Sequence, residues 1–200
     1  MDGRSDRTEP FPPGRRVTVD AMRVAGRRSD VHGLVEFDVT AARRLIDERE
    51  AETGERLSFT AFLVYCLARA VEEHPETQAY PDWRGRLVLF EDVDVMVIVE
   101  WSVDGRRLGL PYVIRGAEQR SVRSIHEEIR AAQRGSGDDQ RSLWLPLFLR
   151  LPGAVRRLFY RLPRWEPRYW KRVAGTVGVT AVGMFGSTGG WGITTVGQNG

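Results

Sequence analysis

Apolar and polar positions along this chain recur with two different periods, and the switches between them mark out its elements. Val31, Val35 and Phe37 fall on odd positions, a period-two signal that predicts a strand over 31–37. Asp38 or Thr40 then caps a predicted helix through about Thr53, with Gly54 as its stop. Ser58 opens the next helix, where Phe59, Phe62, Leu63, Cys66, Leu67, Ala70 and Val71 form an apolar stripe at 3.6-residue spacing; Pro75 ends it. Between Leu87 and Trp101 the period returns to two. Val93, Val95, Val97 and Val99 share one face and Met96 and Ile98 the other, so the middle of this strand is expected to be covered on both sides. Asp104-Gly105 is a hairpin signal that sends the chain back through Leu108 to Ile114. Ser121 opens a third helix with Val122, Ile125, Ile129 and Ala132 inward and Gly135 closing it, and strands follow at Val177–Phe185 and Ile193–Val196. The sum is an α/β (α+β) two-layer sandwich, long helices covering a mostly antiparallel or mixed sheet.

Composition narrows the function without naming it. Two hundred residues suffice for one sizeable core, and 42% hydrophobic residues is ordinary for a globular chain. Lys171 is the only lysine among 30 basic residues, and the arginines are interleaved with 27 acidic side chains rather than massed on one segment, which argues against a nucleic-acid surface. The single cysteine, Cys66, excludes an internal disulfide and a Cys-rich zinc site, so no metal is expected, and its place on the stripe reads as a small buried hydrophobe. Residues 1–16, charged and Pro-rich, read as a flexible lead-in to a domain over 17–200. With no signal peptide and no run long enough to span a bilayer, the expected location is cytoplasmic.

Several stretches, taken in order, carry a resemblance. Leu57–Leu63 looks like an "LSFTDFL" helix start and is followed by an Ala-rich helix ending in Glu73-His74-Pro75-Glu76. Val35–Thr40 resembles an "EVDVT" junction, and Leu110–Ala117 resembles "VTPVIRDA", with Gly116 where Asp is usual. Val179–Gly186 resembles "TISNLGMFG". Together they resemble the catalytic domain of the 2-oxoacid dehydrogenase (dihydrolipoamide) acyltransferase family, in the chloramphenicol-acetyltransferase-like superfamily. The resemblance implies a homotrimer with active sites between subunits. It also implies an acyl group passed between coenzyme A and a thiol such as dihydrolipoamide, or a hydroxyl. In that chemistry a histidine takes the proton from the attacking group, and a hydroxyl donor stabilises the oxyanion, worth about 3–4 kcal/mol.

The resemblance places Thr180 at the oxyanion position, beside the alternative that it is only a good β-former. Thr176, two pleats away, is a weaker candidate. His32 stands near a family Pro-His pair and could face the substrate channel, although a surface role suits it as well. His74, at a helix end, reads as structural, and His126, beside Glu127 and Glu128 on a solvated flank, receives no role. Arg115 has two readings, holding the sheet edge or a ligand phosphate. The family's His-x-x-x-Asp-Gly motif is absent from these 200 residues. The resemblance therefore implies that the general base, the last strands and a closing helix belong to a C-terminal part missing from this chain. A catalytically inactive trimeric scaffold, or a subunit that binds a partner or a membrane surface, is the alternative.

No lipoyl-lysine hairpin is present, since Lys171 lies between Trp170 and Arg172, so a lipoyl group would come from a protein in trans. Residues 143–170 form a hydrophobic and basic insert. Val155, Leu158, Phe159 and Leu162 share one predicted helix face, with Arg156, Arg157 and Arg161 opposite. Two readings stay open: peripheral contact with an anionic membrane, or a helical hairpin covering the core or the trimer interface.

Overall fold

The computed structural model describes residues 19–20, 31–103, 106–134, 151–161 and 166–181. Helix α1 (Thr40–Thr53) begins where the Asp38 carboxylate accepts the Thr40 N–H at 2.9 Å. It ends at Gly54, whose φ of 70° is the left-handed turn that releases the chain. None of its residues is buried, and the Arg43 guanidinium lies 4.4 Å above the Phe59 ring of the next helix. The predicted strand 31–37 does not form. Residues 31–39 form no regular element and join no ladder among the described residues, and Val31, Val35 and Phe37 stay exposed. Alternation supplies a face, but a strand needs a neighbour to pair with.

Helix α2 (Phe59–Glu73) starts at Ser58, whose hydroxyl accepts the Ala61 N–H at 3.0 Å, and gives way to a 3-10 turn at Pro75–Gln78. Its buried face is Ala61, Val64, Ala68 and Val71; of the predicted stripe Val71 is buried and Phe59, Phe62 and Leu67 are half-buried. Leu63 and Cys66 are exposed, so Cys66 is not the buried hydrophobe expected. The helix is apolar almost all round, and the face carrying two alanines is the one that can approach its neighbours closely.

A short hairpin, β1 (Tyr80–Pro81) with β2 (Leu87–Val88), leads into the principal sheet. Strand β3 (Val95–Val103) pairs antiparallel with β4 (Arg106–Ile114) from Val95↔Ile114 to Val103↔Arg106. That register leaves a two-residue connection where the hairpin was expected, although Asp104 and Gly105 themselves lie outside the described residues. On its other edge β3 pairs in parallel with β5 (Val177–Val179), giving the order β4-β3-β5 and a mixed sheet. Val93, Val95, Val97 and Val99 are buried as the alternation required. The other face is only partly covered: Met96 is buried, but Ile98 is 45% exposed.

Helix α3 (Val122–Gln133) is capped by Ser121 and buries Ile125, Ile129 and Ala132 as predicted. Together α2, α3 and one face of the sheet enclose the core, which includes Val64, Val95, Val99, Ile114 and Ile125. The arrangement is the two-layer α/β sandwich with a mixed sheet that the sequence implied. Beyond Val179 only Thr180 and Ala181 are described; the rest of the predicted strand to Phe185, the strand Ile193–Val196, the lead-in 1–16 and the helix-closing Gly135 lie outside the described residues.

Helix α4 (Gly153–Arg161) lies in the insert, and α5 (Pro167–Ala174) starts in it and runs past its end. In α4 the apolar side chains Val155 and Leu158 do not turn inward as the core-covering hairpin reading expected. Arg156 is buried and ion-paired with Asp20 through Nε at 2.9 Å and Nη2 at 2.7 Å, and it also donates to the Leu151 carbonyl at 2.6 Å. Val155 and Leu158 face solvent at 46% and 63% exposure. Buried carboxylate and guanidinium satisfy one another in geometry that neither finds alone, and that pairing decides which way the helix turns. Burial, which would raise the Asp20 carboxyl, is outweighed by Arg156 and then Arg157, so it titrates below the ordinary aspartate range. The segment 143–150, Leu162 and the side chains of Phe159 and Arg161 lie outside the described residues.

Candidate functional site

The site begins with the geometry that launches β5. Strand β3 is entered through Asp94, whose side chain is almost wholly buried beneath the sheet's end. Its Oδ2 accepts from Arg115 Nη1 at 2.7 Å and its Oδ1 from the Gly116 N–H at 3.1 Å. Its carbonyl accepts the Thr176 N–H at 2.7 Å. Arg115, at the end of β4, donates further to the Lys171 carbonyl at 3.0 Å and to the Arg172 carbonyl. These are carbonyls of the last turn of α5, where a cation also complements the helix dipole. Between α5 and β5 stands Gly175 with φ of 74°; a Cβ there would lie 2.5 Å from the Asp94 carbonyl oxygen. Only glycine lets the chain pass that close and turn that way.

From this start β5 runs in register with β3: Val95↔Val177, Met96↔Gly178 and Val97↔Val179. Val177 and Val179 pack against the core, while Gly178 and Thr180 are exposed. One step beyond the paired residues, alternation puts Thr180 beside Ile98 on the sheet face turned away from α2 and α3. Gly178 leaves room there for Met96, whose Cε would sit 3.3 Å from an added Cβ. Thr180 therefore presents a hydroxyl from a well-anchored strand end, a group that can donate one hydrogen bond to an oxygen placed before it.

The other sequence candidates fall elsewhere. Thr176 is fully buried and its hydroxyl exchanges hydrogen bonds with the Asp94 backbone at 3.3 Å, so it serves the anchoring of β5 rather than an open face. His32 is exposed in the segment before α1, and among the described residues no hydrogen bond joins it to Thr180. His74 caps α2, its carbonyl accepting from Thr77. His126, read as solvated, is half-buried: its Nδ1 accepts the Ser58 N–H at 2.9 Å, joining α3 to the start of α2. Burial, helped by the charge of Arg130, lowers its pKa and keeps it the neutral acceptor that bond requires. Asp94 and Arg115 were not singled out together, because 20 residues of strand and turn separate them in sequence. The signal for them is that each ends a strand of one hairpin, on facing positions.

An open groove of about 590 Å³ lies between the β1–β2 hairpin and the start of α5, lined among others by Trp83, Arg84, Leu89, Glu166 and Arg168. Its charges are largely committed within the chain. Asp82 accepts the backbone N–H groups of Arg84 and Arg86 and the Arg86 guanidinium, and Glu166 caps α5. Among the described residues no cluster of metal-ligating side chains occurs, and no helix is long and apolar enough to cross a membrane.

Comparison with known proteins places this geometry in context. Residues 3–140 match the family described as 2-oxoacid dehydrogenases acyltransferase (catalytic domain). Among solved structures, the chain is similar to a probable dihydrolipoamide acetyltransferase from Listeria monocytogenes, with a TM-score of 0.63 and 21% identity over 96% of this chain and 71% of that one. It is similar to a truncated catalytic core of the 2-oxoacid dehydrogenase multienzyme complex from Thermoplasma acidophilum, with a TM-score of 0.54 and 23% identity over 65% of this chain and 60% of that one. A dihydrolipoamide acetyltransferase of Azotobacter vinelandii gives a TM-score of 0.53 and 18% identity over 65% and 56%. At these identities the structures establish the shared fold. No curated protein matches the chain.

Proposed function

Because this chain belongs to the 2-oxoacid dehydrogenases acyltransferase (catalytic domain) family, we propose that it takes part in moving an acyl group between coenzyme A and a thiol acceptor, dihydrolipoamide presented by a lipoyl-bearing protein in trans, with a hydroxyl acceptor as the chemical variant. The observation that carries this reading is the exposed Thr180 hydroxyl on the open sheet face, at the end of a strand held from below. In the reaction a thiolate adds to the thioester carbonyl. The carbonyl oxygen takes up the negative charge, Thr180 donates a hydrogen bond to it, and collapse of the intermediate expels the other thiolate. None of His32, His74 and His126 stands in a His-x-x-x-Asp-Gly motif. None of the three is assigned as the base that deprotonates the attacking thiol.

A cytoplasmic homotrimer is part of the same proposal. The exposed apolar side chains Val35 and Phe37 support it, as surface that contact between subunits would cover. The absent histidine motif favours the second reading, a non-catalytic scaffold. Acyl transfer separates the two. In protein made from its complete reading frame, thiol release from acetyl-CoA with dihydrolipoamide is followed with a thiol-reactive dye. Thr180→Ala is expected to lower kcat by about 100-fold or more with KM little changed, and Thr180→Ser to retain most of it. An unaltered kcat in Thr180→Ala removes the oxyanion role.

A further inference from the structure

Arg115 is one of many arginines in sequence, yet in the fold it joins the ends of two strands and a helix. Its Nη1 donates to Asp94 at 2.7 Å and to the Lys171 carbonyl at 3.0 Å, while Nη2 donates to the Arg172 carbonyl. The guanidinium thus holds the C-terminus of α5 against the first turn of chain before β3. From there the backbone has one route. Gly175 turns with φ of 74° over the Asp94 carbonyl, that carbonyl accepts the Thr176 N–H at 2.7 Å, and β5 begins at the pair Val95↔Val177. Strand β5 has only three paired residues, so its register is set at this first contact. A slip of one residue would turn Thr180 to the opposite face of the sheet.

We propose that Arg115 is a positioning residue for Thr180: through Asp94 and the α5 carbonyls it fixes the origin of β5, and so the height and face at which the Thr180 hydroxyl is presented. The inference rests on the reading of Thr180 as oxyanion donor. The planar fork matters here as well as the charge. Two guanidinium nitrogens reach a carboxylate and two carbonyls at once, whereas a lysine ammonium in the same place offers a single point of attachment.

The test combines amide exchange and kinetics on the protein from its complete reading frame. In Arg115→Lys, amides of residues 176–181 are expected to exchange about tenfold faster, with those of α2 unchanged. Asp94→Asn, which keeps the shape and loses the charge, is expected to loosen the same segment. The lysine variant is expected to lower kcat about tenfold at unchanged KM for acyl-CoA. Added to Thr180→Ala it is expected to lower kcat no further, as for two residues acting through one group. Exchange in 176–181 that stays unchanged, or loosens equally in α2, overturns the proposal, as does full additivity of the two substitutions. If Thr180→Ala is impaired while Arg115→Lys leaves 176–181 undisturbed, the positioning role alone falls. If Thr180→Ala keeps full kcat, the oxyanion reading beneath it falls too.

Discussion

Helices α2 and α3 pack against each other on one face of the sheet, and each is capped by a serine whose hydroxyl accepts a backbone N–H three residues on. Their sequences specify their buried faces in different ways. In α3 the apolar residues Val122, Ile125, Ile129 and Ala132 stand among Arg123, His126, Glu127 and Arg130, so only one face can turn inward, and the predicted face is the buried one. In α2 the apolar residues surround the axis. The large side chains Leu63, Phe62 and Leu67 are exposed or only half-buried, whereas Ala61 and Ala68 are fully buried. Periodicity selects a face only where the opposite face is polar. Where it is not, the volume that fits between packed elements selects it.

Breaking either helix at its buried face should sharpen this contrast. Ile125→Ala leaves a void at a fully buried position and is expected to destabilise by about 2–5 kcal/mol, read as a lower denaturation midpoint. Ala68→Leu, ordinarily a mild change in an apolar helix, is expected to destabilise by about 1–3 kcal/mol because the site has no room. Leu63→Gln, on the face that the spacing alone would bury, should stay within about 0.5 kcal/mol. If Leu63→Gln proves the more damaging of these last two, the assignment of faces in α2 is reversed.

The smallest expected effect lies at the link between the two helices. His126 of α3 accepts the Ser58 N–H at the start of α2 only while neutral, and its pKa is lowered in the fold, by burial first and then by Arg130. The unfolded chain therefore binds the proton first as pH falls below the ordinary histidine value of about 6.5. Stability should be fully present above that value and decline as pH drops toward the folded one, with no further loss below it. Denaturation midpoints between pH 8 and pH 5 would show this decline, and it should disappear in His126→Leu. A dependence that persists in the variant belongs to other groups.

Much of the scaffold was legible because its signals are local. Ser58, Ser121 and Gly54 act within a turn of themselves, and the valines of β3 alternate against a single core. What stayed hidden depends on pairs distant in sequence. Arg156 looked like part of a solvent-facing basic surface until Asp20, 136 residues away, gave it a buried partner. Residues 31–37 alternate like a strand, but no local feature says whether another strand lies beside them. The candidate site divides the same way. Resemblance pointed to Thr180 and the sequence offered Arg115 as a hold on the sheet edge, whereas Asp94 and Gly175, which complete the hold on that strand, become visible only when α5 and the hairpin are brought together. His126 was missed because its acceptor nitrogen serves a backbone N–H 68 residues away.

The measurement that tests the central claim most directly is acetyl transfer itself. Protein expressed from the complete reading frame is mixed with acetyl-CoA and dihydrolipoamide, and release of free coenzyme A is followed together with the appearance of acetylated acceptor. The account predicts stoichiometric transfer that depends on Thr180. A folded, trimeric protein that transfers nothing to either thiol or hydroxyl acceptors would contradict it, and would leave the fold serving as a scaffold.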